Sequence, residues 1–234
     1  MIVLALETAT IEVGAALVGS DGLLAESRHP CRRLHVETLH PAVESVVAAA
    51  GIGLGQVGAV AVDVGPGLFT GLRVGIAAAK AFGFALGVPL VAVRSTEVLR
   101  RGASADPVRP PGVVVPVVDM RRGEVAWEFP RGGPEIGPVS RLRARLCELS
   151  GEVFFVGDAA RDLAAALVDL DGVACRFGGD DLAAPSVGVL GAIGIERVAL
   201  GATTDAMSVK PCYLRAADAR ANFATREPPG QDRP

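Results

Sequence analysis

The chain has 234 residues, enough to bury a substantial core in one large domain or two small ones. Half of the residues are hydrophobic, which excludes an intrinsically disordered protein, and the net charge of −3 gives no overall basic surface for holding a nucleic acid alone. The four cysteines form no Cys-x-x-Cys pair, so we expect reduced thiols in a cytoplasmic protein. Charged residues and a proline interrupt the longest apolar stretch, 72–93, so no membrane span is expected.

Hydrophobic periodicity and turn residues predict alternating strands and helices in the first hundred residues. In chain order these are strands at 2–6, 13–18 and 23–27, a helix at 35–50, a strand at 59–64, a helix at 70–87 and a strand at 89–93. The first three strands form an antiparallel meander, and the later alternation favours a partly parallel sheet covered by helices.

The second part of the chain repeats this alternation. Its predicted elements are strands at 113–118 and 124–129 around a turn at 121–123, a helix at 140–149, a strand at 153–156, and helices at 159–170 and 186–200. Sliding the chain by 112 residues places Glu7 on Asp119 and Glu12 on Glu124, which indicates two related halves.

Composition divides the chain at a segment rich in proline, glycine, serine and arginine. We predict an N-terminal half-domain at 1–101, a linker at 102–112 and a C-terminal half-domain at 113–215. The proline-containing tail at 216–234 is predicted to be disordered.

A glycine-rich turn joins the strand at 59–64 to the following helix. Gly65 and Gly67 lie where free N–H groups and the helix dipole can hold an anion. No Gly-Lys-Ser/Thr follows, so this is not a Walker A loop. The alternative is a tight turn in which Thr70 or a neighbour caps the helix.

The helix that follows carries small residues at four-residue steps: Gly71, Gly75, Ala79, Gly83 and, where the helix ends, Gly87. Each internal glycine costs about 1 kcal/mol relative to alanine, so close packing should compensate. Two explanations stay open: packing of this row against the chain's own sheet or first helix, and a subunit interface.

The histidines give no metal-binding pattern. His35 and His40 are five residues apart and diverge by roughly 140° on a helix, so they do not form the four-residue pair that places two rings on one ion. We expect His35 near the helix start, His40 at the surface, and no metal site. The Gly-x-Gly-x-x-Gly match at 53–58 follows a helix and precedes a strand, which is the wrong context for a dinucleotide site.

Five segments together resemble the TsaB (YeaZ) family. The most specific is Gly-Pro-Gly-x-Phe-Thr-Gly-Leu-Arg-x-Gly at 65–75; the others, in matching order, lie at 4–10, 35–41, 116–125 and 210–215. The sequence departs from the family pattern at Glu7, where the family usually has Asp, and at Leu68, where it usually has Ser.

The resemblance implies an actin/Hsp70/sugar-kinase-like α/β fold of two half-domains with mixed sheets covered by helices. It implies that Glu7, Thr8, Gly65, Gly67 and Asp119 are remnants of a phosphate-binding site rather than a working one. Because family members pair through their N-terminal helices, it favours the interface explanation, with an interface formed by Leu39, Val43, Val46, Gly71, Gly75, Ala79 and Gly83.

The function implied by the resemblance is that of a non-catalytic scaffold subunit. Its partners would be a TsaD-like catalytic subunit, which transfers threonylcarbamoyl to N6 of adenosine 37 in tRNAs reading ANN codons, and a TsaE-like ATPase. The chain alone would form a homodimer and would meet tRNA only through the complex. No intrinsic cofactor is expected, with ATP or ADP at the joint face left open. The alternatives are a small-molecule kinase of the same fold and a homodimer without a catalytic partner.

Overall fold

The computed structural model describes residues 1–31, 34–105, 109–167 and 170–215, so the tail predicted at 216–234 lies outside the described residues. The first sheet contains five strands in the order β3-β2-β1-β4-β5. They are β1 (Ile2–Glu7), β2 (Glu12–Gly19), β3 (Gly22–Pro30), β4 (Val57–Asp63) and β5 (Leu90–Val93). The first three strands are antiparallel, and β4 and β5 continue parallel to β1.

The second sheet has the same topology in the order β8-β7-β6-β9-β10. Its strands are β6 (Val113–Asp119), β7 (Glu124–Trp127), β8 (Glu135–Pro138), β9 (Gly151–Val156) and β10 (Val173–Phe177). Again the first three strands are antiparallel and the last two are parallel to the first. The prediction of two related halves with mixed sheets is therefore confirmed.

In the part of the chain that the structure describes, six α-helices connect and cover the strands. They are α1 (His35–Ala50), α2 (Phe69–Leu86), α3 (Ser95–Ala105), α4 (Val139–Leu146), α5 (Ala160–Leu163) and α6 (Val187–Ala199). Helices α1 and α2 end at Gly51 and Gly87, which adopt the left-handed conformation with φ of 64° and 67°.

The first sheet is covered on both sides because its strands alternate apolar side chains between the two surfaces. Leu4 and Leu6 of β1 belong to the core cluster that includes α1 and α2. Val3 and Ala5 belong to the opposite cluster, which α6 completes with Leu190 and other residues. Helix α2 and the segment 180–199 are long and apolar enough to cross a membrane by length and composition, but α2 and the α6 part of that segment pack against this sheet.

Each half contributes one helix that packs on the sheet of the other half. Helix α3 packs on β6 of the second sheet through Leu99 and Ala103, and α6 packs on β1 of the first sheet. Two features therefore differ from the predicted organisation. Helix α3 continues through Ala105 into the segment predicted as a linker at 102–112, and α6 covers the sheet of the other half. The division at 102–112 itself stays a prediction.

Candidate functional site

Two buried carboxyl groups meet where β1 and β4 end. The parallel pairing aligns Leu6 with Val62, so Glu7 and Asp63 come next to each other. The Ala9 N–H donates to Glu7 Oε1 at 2.8 Å, and the Gly65 N–H donates to Asp63 Oδ1 at 2.7 Å. The Ser95 hydroxyl donates to the same Asp63 oxygen at 2.7 Å. Within the described part of the chain, no N–H group or hydroxyl donates to Glu7 Oε2 or Asp63 Oδ2, and the two carboxyl groups interact with each other.

Burial controls the protonation of this carboxyl pair. Desolvation, reinforced by the charge of Asp63, raises the pKa of Glu7 well above its ordinary value, and desolvation raises the pKa of Asp63. Glu7 is 1% exposed and Asp63 is 0% exposed. Two carboxyl groups enclosed in this way are placed to share a proton.

The glycine-rich loop is folded onto the turn between β1 and β2. The Leu68 N–H donates to the Ala9 carbonyl at 2.7 Å, and Thr8 Oγ1 donates to the Gly71 carbonyl at 2.8 Å. A side chain at Gly67 would overlap the Ala9 carbonyl, so this close approach requires glycine. The N–H groups of Gly65 and Leu68 are thus used inside the fold, which favours the tight turn over the anion cradle. Leu68, a neighbour of Thr70, occupies the N-cap position and makes no side-chain capping hydrogen bond.

Asp119 lies at the end of β6, as Glu7 lies at the end of β1, but its hydrogen-bond partners are Arg121 and Asp158. Its side chain accepts from the Arg121 N–H at 2.7 Å and from the Arg121 guanidinium at 2.8 Å, while its own N–H donates to Asp158 Oδ1 at 2.8 Å. Desolvation, opposed by hydrogen bonds but assisted by Asp119, raises the pKa of Asp158 to about 6. Among the described residues, no hydrogen bond or ion pair joins Asp119 to Glu7 or Thr8.

The cleft above the loop is a cavity of about 820 Å³ at the start of α2. It is lined by Ile11, His35, Leu68, Phe69, Thr70, Gly71 and Arg121. His35 is buried and its Nε2 donates to the Thr10 carbonyl at 3.1 Å, whereas His40 is exposed beside Glu44 at 3.3 Å. The two imidazoles therefore lie in different environments. In the described ranges, no group of three or more His, Cys, Asp or Glu residues could hold a metal ion.

The glycine row of α2 lies inside the subunit. A Cβ atom added at Gly71 or Gly75 would overlap Thr8, and one at Gly83 would lie 2.8 Å from Leu90 Cδ2. Ala79 is 0% exposed. The three glycines pack against the chain's own β1–β2 turn and β5, which favours the explanation by internal packing, while an interface at these four residues stays a prediction.

The apolar residues proposed for α1 are also largely internal. Leu39, Val43 and Val46 are 3%, 2% and 1% exposed and belong to the core of the first half. Leu39 and Val43 nevertheless form the base of a groove of about 430 Å³ between the two helices. The other lining residues of this α1–α2 groove are Val36, His40, Thr70, Arg73, Val74, Ala77, Ala78 and Phe82.

The exposed side of α2 is apolar along most of its length. Arg73, Ala77, Ala81 and Phe84 are exposed and form what we call the outer face of α2; Phe84 is 90% exposed. Ala77 follows Gly75 by two residues, about 200° around the helix, which separates this face from the glycine row. The outer face and the glycine row therefore lie on different sides of α2.

Sequence reasoning missed a polar contact between the halves. Glu128 of the second half is 2% exposed and accepts hydrogen bonds from Arg94 at 2.9 Å and from Thr96, with the Arg100 guanidinium at 3.8 Å. All three donors come from the segment around the start of α3. The acidic residue after an apolar strand was visible in the sequence, but its partners 28 to 34 residues earlier were not.

Comparisons with known proteins agree with this architecture. A model of the TsaD family, tRNA N6-adenosine threonylcarbamoyltransferase, matches residues 29–136. A crystal structure from Pseudomonas aeruginosa, of an uncharacterised protein with similarity to peptidase YeaZ, superposes with a TM-score of 0.77 at 26% identity, covering 92% of this chain and 99% of that one. The ROK hexokinase of Thermus thermophilus, at 12% identity and a TM-score of 0.50 over 83% of this chain and 100% of that one, shares the fold alone. The fold is thus the actin/Hsp70/sugar-kinase-like fold.

The sequence relatives match this chain over different lengths. An uncharacterised Mycobacterium leprae protein is 43% identical over 58% of this chain, and the match spans only 38% of that protein. The Escherichia coli tRNA threonylcarbamoyladenosine biosynthesis protein TsaB is 30% identical over 99% of this chain and 100% of its own length. Because this second match spans both proteins from end to end, the chain belongs to the TsaB family.

Proposed function

We propose that this chain is a non-catalytic subunit that binds a TsaD-like subunit and thereby supports the formation of threonylcarbamoyladenosine in tRNA. The observation that carries the proposal is the apolar surface of α1 and α2, made of the groove and the outer face of α2. Ala77 and Ala81 let another backbone approach closely, and Phe84 offers a large side chain for burial.

The extent of the TsaD family match supports the choice of partner. Residues 29–136 include both α1 and α2, so a TsaD-like subunit is expected to carry a related pair of helices. Two similar surfaces can pack about an approximate two-fold axis, as identical ones do in a homodimer. In this proposal the same surface serves self-association of the chain alone and pairing with a TsaD-like subunit when both are present.

The buried Glu7 supports a non-catalytic role. At 1% exposure, the carboxyl group that would place metal and phosphate in a kinase of this fold is enclosed beside Asp63. The proposal therefore assigns catalysis to the TsaD-like partner, with a TsaE-like ATPase and an adenine nucleotide joining at the complex, in the cytoplasm. tRNA would bind the complex rather than this chain alone.

The experiment combines binding with tRNA modification. The wild-type chain should bind a cognate TsaD-like subunit, and the pair with a TsaE-like ATPase and threonylcarbamoyl-adenylate should yield modified tRNA by mass spectrometry. Ala81→Arg places a charge on the outer face and should lower the affinity for the partner at least roughly tenfold without changing thermal unfolding. Ala144→Arg, at an exposed alanine of α4, is the matched control.

Three results would contradict the proposal. They are modification by this chain without TsaD, turnover of ATP on a sugar or acyl acceptor, and normal partner binding by Ala81→Arg. Sedimentation of the chain alone shows whether a homodimer uses the same face, since Ala81→Arg should then also yield monomers.

A further inference from the structure

Three side chains from two distant segments form a stack at the start of α2. The Arg73 guanidinium carbon lies 3.8 Å from the centre of the Phe69 ring, and this ring stacks on Tyr213 with centroids 5.0 Å apart. Arg73 Nε donates to the Tyr213 hydroxyl oxygen at 3.0 Å. Phe69 and Tyr213 are 41% and 42% exposed, so the stack lies at the surface although contacts fix each member.

The segment that carries Tyr213 is held on both sides of the ring. The Cys212 N–H donates to the Val64 carbonyl at 2.6 Å, and Arg215 pairs with Glu124 of β7. Tyr213 is therefore positioned by the backbone hydrogen bond of Cys212 and by the Arg215–Glu124 ion pair, independently of the stack. Its hydroxyl and ring in turn restrain Arg73, which would otherwise be a mobile side chain on an exposed helix surface.

The charge of Arg73 is not neutralised within the described part of the chain. No carboxylate lies within salt-bridge distance of its guanidinium there, in contrast to Arg28, Arg141 and Arg197. Nε is bonded to Tyr213 and one surface of the guanidinium covers Phe69. The terminal Nη1 and Nη2 groups make no hydrogen bond among the described residues, and together they form the planar fork that matches the two oxygens of a carboxylate.

Arg73 also lies in the proposed partner surface. It lines the α1–α2 groove and begins the outer face of α2, next to Ala77. Interfaces concentrate binding energy in arginine and aromatic side chains that are fixed before the partner arrives, because less side-chain entropy is then lost. The groove contains no lysine and no second arginine, whereas RNA phosphates are usually held by several cations.

We propose that the Arg73–Phe69–Tyr213 stack is the anchor of the partner interface and that Arg73 binds an Asp or Glu carboxylate of the TsaD-like subunit. This inference rests on the proposed function. The stack orients the fork toward an incoming carboxylate, and the surrounding apolar groove removes water from the pair as the subunits close. The stack joins residues of two family motifs: Phe69 and Arg73 belong to the motif at 65–75, and Tyr213 belongs to the segment at 210–215.

The test measures affinity for a cognate TsaD-like subunit by calorimetry at two salt concentrations. Arg73→Gln should weaken binding roughly tenfold to a hundredfold, as expected for loss of a charge-assisted hydrogen-bonded pair. Arg73→Lys should bind only slightly more tightly than Arg73→Gln, because an ammonium group has neither the planar fork of N–H donors nor a plane that stacks on Phe69. Tyr213→Phe keeps the stack but removes the acceptor of Arg73 Nε, and should weaken binding severalfold. Arg176→Gln, at an exposed arginine of β10, should bind like the wild type.

Salt dependence identifies the charge pair itself. Wild-type affinity should fall as salt rises, and Arg73→Gln should show a smaller dependence. Equal affinity and equal salt dependence for the wild type and Arg73→Gln would overturn the anchor while leaving the proposed function intact. A wild-type chain that does not bind the TsaD-like subunit would overturn both. Restored binding by Arg73→Lys would show that charge alone suffices and would refute the role of the stack.

Discussion

Replacing Gly75 by alanine tests whether the glycine row is internal packing. The added Cβ would lie 2.3 Å from Thr8 Oγ1, and this hydroxyl donates to the Gly71 carbonyl. Overpacking costs about 1–3 kcal/mol and loss of the buried hydrogen bond about 1 kcal/mol, while the helix propensity of alanine returns about 1 kcal/mol. The variant should thus be about 1–3 kcal/mol less stable, which lowers the melting temperature by about 2–12 °C in a chain of this size.

Thermal unfolding followed by circular dichroism measures this difference, and Gly102→Ala provides the control. Gly102 is also inside a helix, but among the described residues its added Cβ would meet only Val189 Cγ2, at 3.9 Å. Gly102→Ala should therefore leave stability unchanged or raise it by up to about 1 kcal/mol. If Gly75→Ala melted at or above the wild-type temperature while the control behaved as expected, the packing of α2 against Thr8 would be refuted.

Two further predictions concern buried carboxyl groups. The pKa of Glu7 is raised in the folded protein, whereas the unfolded chain releases this proton above its ordinary pKa of 4.5. The contribution of the bound proton to stability is therefore complete below pH 4.5 and is lost as the pH rises toward the raised pKa of the folded state. Glu7→Gln should therefore gain in melting temperature over the wild type between acid and neutral pH, and a constant difference would contradict the shared proton. Glu128→Ala should lower the free energy of unfolding in urea by roughly 2–4 kcal/mol, less than a fully buried pair because Arg94 is 43% exposed. The control Glu135→Ala removes a partly exposed pair, with Glu135 29% and Arg141 57% exposed, and should cost at most roughly 1 kcal/mol; equal losses would contradict the burial argument.

Much of the fold could be predicted because its pattern is local. The helix expected at 35–50 is α1 with the same bounds, and the one at 70–87 differs from α2 by one residue at each end. Helix α3 escaped detection because its apolar residues are few among Glu97, Arg100, Arg101 and Gly102. Strand β8 was also missed, since it is a four-residue edge strand with a glycine and a proline.

The candidate site was harder to predict because it depends on contacts between distant segments. A carboxylate at the end of a strand looks the same in sequence whether it faces a cleft or, like Glu7, lies enclosed beside Asp63. Likewise, four-residue spacing reveals the glycine row but not the side on which it packs, because α2 also carries small residues on its outer face. The stack of Phe69 on Tyr213 joins two recognised motifs whose proximity no local pattern encodes.

The exchange of α3 and α6 determines when the protein can fold during synthesis. One surface of the first sheet is covered by α6, whose last residue is Ala199. The first sheet therefore cannot complete its core until α6 has been synthesised and has left the ribosome. Neither half has its complete core without the other, so separate expression of either should give an aggregation-prone fragment. Co-expression of the two should allow complementation, and the chain should unfold as one cooperative unit instead of two.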